Sequence, residues 1–208
     1  MIQPQIISPE STWRMTRMHN EMKRQGIADY KLWPFVHIAN KPRRTAISKA
    51  HKAIVEWAAL EGLPSVTIFE DDVWFPTGDG WKYYCDNFPK EPFDLYLGGI
   101  TRGEIKDGKT LRYTGQFCYT IAERFYDTFL GVSEDLDIDG AMSGLGTFYV
   151  CQPMSCFTYW GYSHNCSETT NINHLLMGKE LYGFGLVNSK ERVQEMTDLQ
   201  NKHSGLNP

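Results

Sequence analysis

A chain of 208 residues, 41% hydrophobic and 22% charged, is long enough to bury a substantial core and has the balance of a soluble globular domain. Its net charge of −4 excludes a global basic field for nucleic acid or anionic lipid, and no apolar run reaches the roughly 20 residues of a spanning helix. Five cysteines (Cys85, Cys118, Cys151, Cys156 and Cys166) lack CxxC spacing, and the opening MIQPQIISPE has neither a charged n-region nor an apolar h-region, so free thiols and a cytoplasmic location are expected.

Residues 2–8 form a short apolar segment suited to a first strand. Residues 11–26 are helical in pattern: Arg14, Met18 and Met22 recur at four-residue steps, and Gly26 stops the run. Residues 31–38 suit a second strand, with Pro34 placing it near an edge. Lys41-Pro42-Arg43-Arg44 forms a loop into a helix over residues 45–61, on which Ile47, Ala50, His51, Ile54 and Ala58 share a face. Gly62-Leu63-Pro64 ends that helix. The apolar run 65–69 then suits a strand covered on both sides, as in a parallel sheet. Residues 93–97 make another strand ending in Gly98-Gly99, and residues 101–113 a loop or hairpin. Residues 117–121 read as a strand, 123–130 as a short helix, 147–151 as a strand, and the charged stretch 189–208 as a surface helix or tail. Strands alternating with helices predict one α/β domain over residues 1–208, a mixed Rossmann-like sheet sandwiched by helices.

Glu70-Asp71-Asp72 follow the 65–69 strand directly, and open α/β sheets bind ligands beyond the carboxyl ends of their strands. A nucleoside diphosphate sugar brings negative charge to such a site, and its leaving diphosphate gains more. A divalent cation held by one or two carboxylates and completed by phosphate oxygens offsets that charge. In an extended segment Glu70 and Asp72 would share a face. On its own the triplet suits a solvated acidic loop equally well. The run from Asp135 to Gly140 imitates an EF-hand loop, but Gly146 stands where the twelfth-position Glu is required, which excludes one.

The stretch from Ile47 to Phe75, ISKAHKAIVEWAALEGLPSVTIFEDDVWF, resembles the core motif of glycosyltransferase family 25, the lipopolysaccharide sugar transferases and collagen galactosyltransferases. His51 and Glu70-Asp71-Asp72-Val73 fall in the family's register. Arg14, Met18, Met22, Gly26 and Ile27 match its first helix, Asp94-Leu95-Tyr96-Leu97-Gly98-Gly99 its DLLYLGG strand, and Gly115, Tyr119 and Ile121 a later strand. Leu136-Asp137-Ile138-Asp139 resembles its P-V-D step. The chain departs at Ile6-Ile7-Ser8, where the family has INL, and at Ala50, where it has Ser.

The resemblance implies a GT-A-like fold and an inverting hexosyltransferase that uses Mn²⁺ or Mg²⁺ and a nucleotide sugar, a UDP-sugar first, on a glycan acceptor such as lipopolysaccharide. A modified base in phage DNA is a rival acceptor. A non-catalytic sugar-nucleotide-binding protein is the rival of another class. Asp72 and Glu70 are the expected metal ligands, with His164 closing the shell. Ser8, Arg14, Asp71 and Gln116 are the expected nucleotide-sugar contacts, although Arg14 suits its own helix's contacts equally. Asp139 is the expected catalytic base, with a helix cap as its bland reading. His51, on an apolar helix face, is expected to be a hydrogen-bonded core histidine.

Overall fold

The computed structural model describes residues 2–8, 11–35, 38–163 and 168–204. In chain order, β1 (Gln5–Ser8), α1 (Thr12–Arg24), β2 (Lys31–Pro34), α2 (Arg43–Leu60) and β3 (Ser65–Glu70) come first. Then follow β4 (Val73–Trp74), α3 (Gly80–Asp86), β5 (Leu95–Leu97), β6 (Lys109–Thr110) and β7 (Cys118–Ala122). A 3₁₀ turn at Glu123–Phe125 runs into α4 (Tyr126–Gly131), and α5 (Ile138–Met142), β8 (Phe148–Val150) and β9 (Phe157–Thr158) come next. Two small hairpins, β10 (Gly161–Ser163) with β11 (Glu168–Thr170) and β12 (Glu180–Leu181) with β13 (Gly185–Leu186), precede α6 (Lys190–Ser204).

Seven strands form one sheet in the order β2-β1-β3-β7-β5-β8-β6. β1 runs parallel to β2 and β3, β5 runs parallel to β8, and β7 lies antiparallel between β3 and β5. The architecture is the mixed α/β sandwich expected, with one difference: β3 is parallel on one side only. Ile68 and Tyr119 are in register across β3 and β7, and His51 of α2 and Phe129 of α4 lie against Tyr119, so these helices cover that face. Phe69 points the other way, against Trp81 of α3 at 5.2 Å. The backbone N–H of that same Trp81 binds Gln25, just beyond α1, so α1 covers this second face too.

Local chemistry explains where the elements stop. β2 ends at Pro34, which cannot donate to a ladder and sits on the sheet edge. α2 begins at Arg43, two residues before the expected start, because Pro42 at the N-cap presets φ at −55°. Gly98 and Gly99 are required by a close approach: a Cβ on Gly98 would stand 2.6 Å from Cys156 Sγ, and one on Gly99 would run into the Cys156 carbonyl. α6 docks one face against the body, burying Met196 and Gln200, and Gln200 Nε2 donates to the Thr158 carbonyl at 2.9 Å.

Candidate active site at the carboxyl ends of β1 and β3

The parallel pairing of β1 and β3 sets Ile7 opposite Glu70, so the two strands release Ser8 and the acidic triplet at the same sheet edge. β7 runs the other way, and the Glu70 N–H donates to the Phe117 carbonyl at 2.9 Å, which brings Gln116 to that edge as well. Ser8 is buried there, its hydroxyl against Met15 Sδ. Asp71 and Asp72 are the two turn residues between β3 and β4, so the alternation of an extended strand does not continue through them. This corrects the expectation that Glu70 and Asp72 share a face. Asp71 and Asp72 turn toward α1, and Glu70 turns toward α2.

On the α1 side, Arg14 Nη2 donates to Asp71 Oδ1 at 2.8 Å and reaches Asp72 Oδ2 at 3.3 Å, and its Nε lies 2.6 Å from Asp71 Oδ2 as an ion-pair contact without hydrogen-bond alignment. Arg14 and Asp71 are each 6% exposed. Burial raises the Asp71 carboxyl above its ordinary value, and Arg14 pulls it back. Arg17, one turn further, is 4% exposed, and its guanidinium lies 4.9 Å from the Trp13 ring centroid and 4.6 Å from that of Tyr159. Its Nε has no hydrogen-bond partner among the described residues; burial lowers its pKa, and the charges of Asp72 and Asp71 oppose that. The sequence reading missed Arg17. Its one signal was the three-residue step from Arg14, which puts both cations on one helix face. Glu21 anchors this helix: fully buried, it accepts from Arg24, from the Phe75 N–H at 3.1 Å and from Tyr159 Oη at 3.2 Å.

On the α2 side, His51 is fully buried, as expected, but it also touches the acidic cluster. Its Nδ1 is 2.8 Å from Tyr119 Oη and its Nε2 is 3.3 Å from Glu70 Oε1. Desolvation lowers its pKa to about 4, against the Asp139 charge, so the ring is neutral at pH 7. Glu70 is a third exposed yet recessed among protein atoms. Desolvation first, and then the charges of Asp72 and Asp139, raise its pKa well above the ordinary carboxylate value. Tyr113 Oη donates to Gln116 Oε1 at 2.8 Å, leaving Gln116 Nε2 buried without a hydrogen bond among the described residues.

Asp139 lies in the first turn of α5, where Asp137 holds the N-cap position. Its two carboxylate oxygens accept from the Gly115 N–H at 2.8 Å and the Gly140 N–H at 2.7 Å, so it ties α5 to the turn that leads into β7. Its charge acts on both His51 and Glu70. The structure therefore gathers Ser8, Arg14, Glu70, Asp71, Asp72, Gln116 and Asp139 around one sheet edge, while His164 lies outside the described residues.

The cluster can be tested for its fit to a divalent cation. Four carboxylates face two guanidiniums, leaving two negative charges when all are ionised. Asp72 Oδ1 is buried with no hydrogen-bond partner among the described residues. Among those residues no three His, Cys, Asp or Glu side chains converge as a ready shell. Glu70 and Asp72 are near enough for the Asp72 charge to act on Glu70, an arrangement compatible with a hard cation that takes only one or two protein carboxylates and fills its other positions with phosphate and water.

No protein-family model matches this chain, so the family expected from the sequence is not shown. No curated protein matches it either. Among the described residues no helix is long and apolar enough to cross a membrane. Solved structures do match. HddC from Yersinia pseudotuberculosis is 9% identical with a TM-score of 0.48, over 72% of this chain and 89% of that one. The mannose-1-phosphate geranyltransferase of Thermus thermophilus is 8% identical with a TM-score of 0.44, over 72% and 73%. A protein from Desulfovibrio desulfuricans assigned as a nucleotide-diphospho-sugar transferase is 12% identical with a TM-score of 0.41, over 98% and 99%.

Proposed function

We propose that this chain is a metal-dependent glycosyltransferase that moves a hexose from a nucleotide sugar, a UDP-sugar first, to a hydroxyl of a glycan such as lipopolysaccharide, with inversion. The observation that carries this reading is the unpartnered, buried Oδ1 of Asp72 within a cluster that has more carboxylates than guanidiniums, at the sheet edge where α/β folds bind ligands. Asp72 and Glu70 would hold Mn²⁺ or Mg²⁺. When bound, such a cation offsets the charge that builds on the leaving diphosphate. Arg14 orients Asp71 and Asp72, and the free donors of Arg17 meet a phosphoryl oxygen. Ser8 and Gln116 contact the nucleotide sugar; the amide N–H groups of Gln116 lack acceptors that sugar hydroxyls can supply.

In the reaction, the acceptor oxygen bonds to the anomeric carbon as the bond from that carbon to the diphosphate oxygen breaks. The acceptor hydroxyl proton passes to Asp139, whose oxygens are aimed by the Gly115 and Gly140 amides, and the electron pair leaves on the diphosphate. Calorimetric titration of UDP with Mn²⁺ tests the reading. Asp72→Asn keeps the side-chain shape and removes its charge, so Mn²⁺-dependent UDP binding should disappear while the melting temperature holds. Wild-type affinity in that variant would refute the assignment.

A further inference from the structure

We propose that His51, fixed from behind by Tyr119, is a positioning residue that aims the Glu70 carboxylate into the acidic cluster. The inference rests on the reading of Glu70 as a ligand in the metal–diphosphate site. Three of the four carboxylates already have firm partners: Asp71 and Asp72 have Arg14, and Asp139 has two backbone N–H groups. Glu70 has only His51 among the described residues, with Nε2 3.3 Å from Oε1, a contact short of a formed hydrogen bond that leaves the buried Nε2 without a hydrogen-bond partner among those residues.

A neutral imidazole carries one N–H, so the tautomer decides whether His51 offers Glu70 a proton or a lone pair. Tyr119, fully buried, resolves the choice: its hydroxyl lies 2.8 Å from Nδ1, and by donating there it leaves the proton on Nε2. Among the described residues that hydroxyl has no other hydrogen-bond partner, so the buried phenol proton goes to His51. The polarity thus runs from Tyr119 through His51 toward Glu70. Histidines and tyrosines behind a ligand fix its orientation, and losing them typically costs about 10–100-fold in metal affinity or activity.

Two measurements test the proposal. Without metal, ¹⁵N spectra of the imidazole should show the Nε2–H tautomer at neutral pH in the wild type and a mixture in Tyr119→Phe. A predominant Nδ1–H form in the wild type would overturn the proposal. With UDP present, Mn²⁺ affinity by electron paramagnetic resonance should fall about 10–100-fold in His51→Leu. His51→Gln, whose amide nitrogen falls near the position of Nε2, should regain most of it, with melting temperatures measured for each variant. If His51→Leu does not fold, Tyr119→Phe carries the affinity test, and its expected loss is smaller. Unchanged affinity in a folded His51→Leu, or in Tyr119→Phe, would overturn the proposal. So would His51→Gln binding Mn²⁺ no better than a folded His51→Leu. If the wild type itself binds no Mn²⁺ with UDP, the metal reading fails, and the tautomer spectra still decide whether His51 presents an N–H to Glu70.

Discussion

Replacing Arg14 with methionine should cost this protein about 3–5 kcal/mol, the usual penalty for removing one partner of a buried ion pair. The magnitude follows from the geometry. The guanidinium nitrogens lie 2.6 and 2.8 Å from the two Asp71 oxygens, and both side chains are almost wholly removed from solvent. Two unit charges about 4 Å apart attract by about 4 kcal/mol at an effective dielectric of about 20. Methionine keeps most of the stem packing, so the loss isolates the charge. Without Arg14, Asp71 would keep only the more distant Arg17 and face Asp72 and Glu70, both of which already disfavour its ionised form. The assay is urea unfolding at pH 8 in EDTA, followed by tryptophan fluorescence, on wild type, Arg14→Met, Asp71→Asn and the double variant. Because the penalty is mostly an orphaned carboxylate, the double variant should be more stable than Arg14→Met by about 2 kcal/mol or more. Wild-type stability in Arg14→Met, or no recovery in the double variant, would refute the claim that Arg14 offsets a buried charge on Asp71.

Asp139→Asn should retain UDP and Mn²⁺ binding but lower kcat by about 10²–10⁴-fold, the usual contribution of a general base; near-normal turnover would place the base elsewhere. Arg17→Gln should weaken binding of inorganic pyrophosphate by about tenfold, with Arg17→Lys intermediate because it keeps the charge and loses the fork; equal affinities by calorimetry would remove Arg17 from the site. His203 accepts from Trp74 Nε1 at 3.1 Å, and desolvation, then Arg24 and Lys202, lower its pKa from 6.5 to about 4. The unfolded chain therefore binds that proton first, and the contribution of neutral His203 is complete above pH 6.5 and lost as pH falls to 4. His203→Asn keeps an acceptor for Trp74 and cannot titrate, so its unfolding free energy should fall less than that of the wild type over this range; identical pH profiles would contradict the assignment.

The sequence determined the elements and the place of the acidic cluster for local reasons. The apolar run of β3 ends abruptly in three carboxylates, Pro42 and Gly26 mark helix ends, and Met18 and Met22 fix the buried face of α1. Tertiary structure decided which carboxylate faces which partner. α1 and α2 lie on opposite faces of the sheet, so neighbouring acids were divided between them: Asp71 went to Arg14, and Glu70 to His51. The direction of β7 was equally hidden, because an apolar run reads the same in either sense, yet only the antiparallel sense brings Gln116 and the Gly115–Asp139 bond to the site. Arg17 and His51 escaped notice as site residues for one physical reason. A helix pattern shows that a side chain is buried, and what it is buried against depends on contacts between residues far apart in the chain.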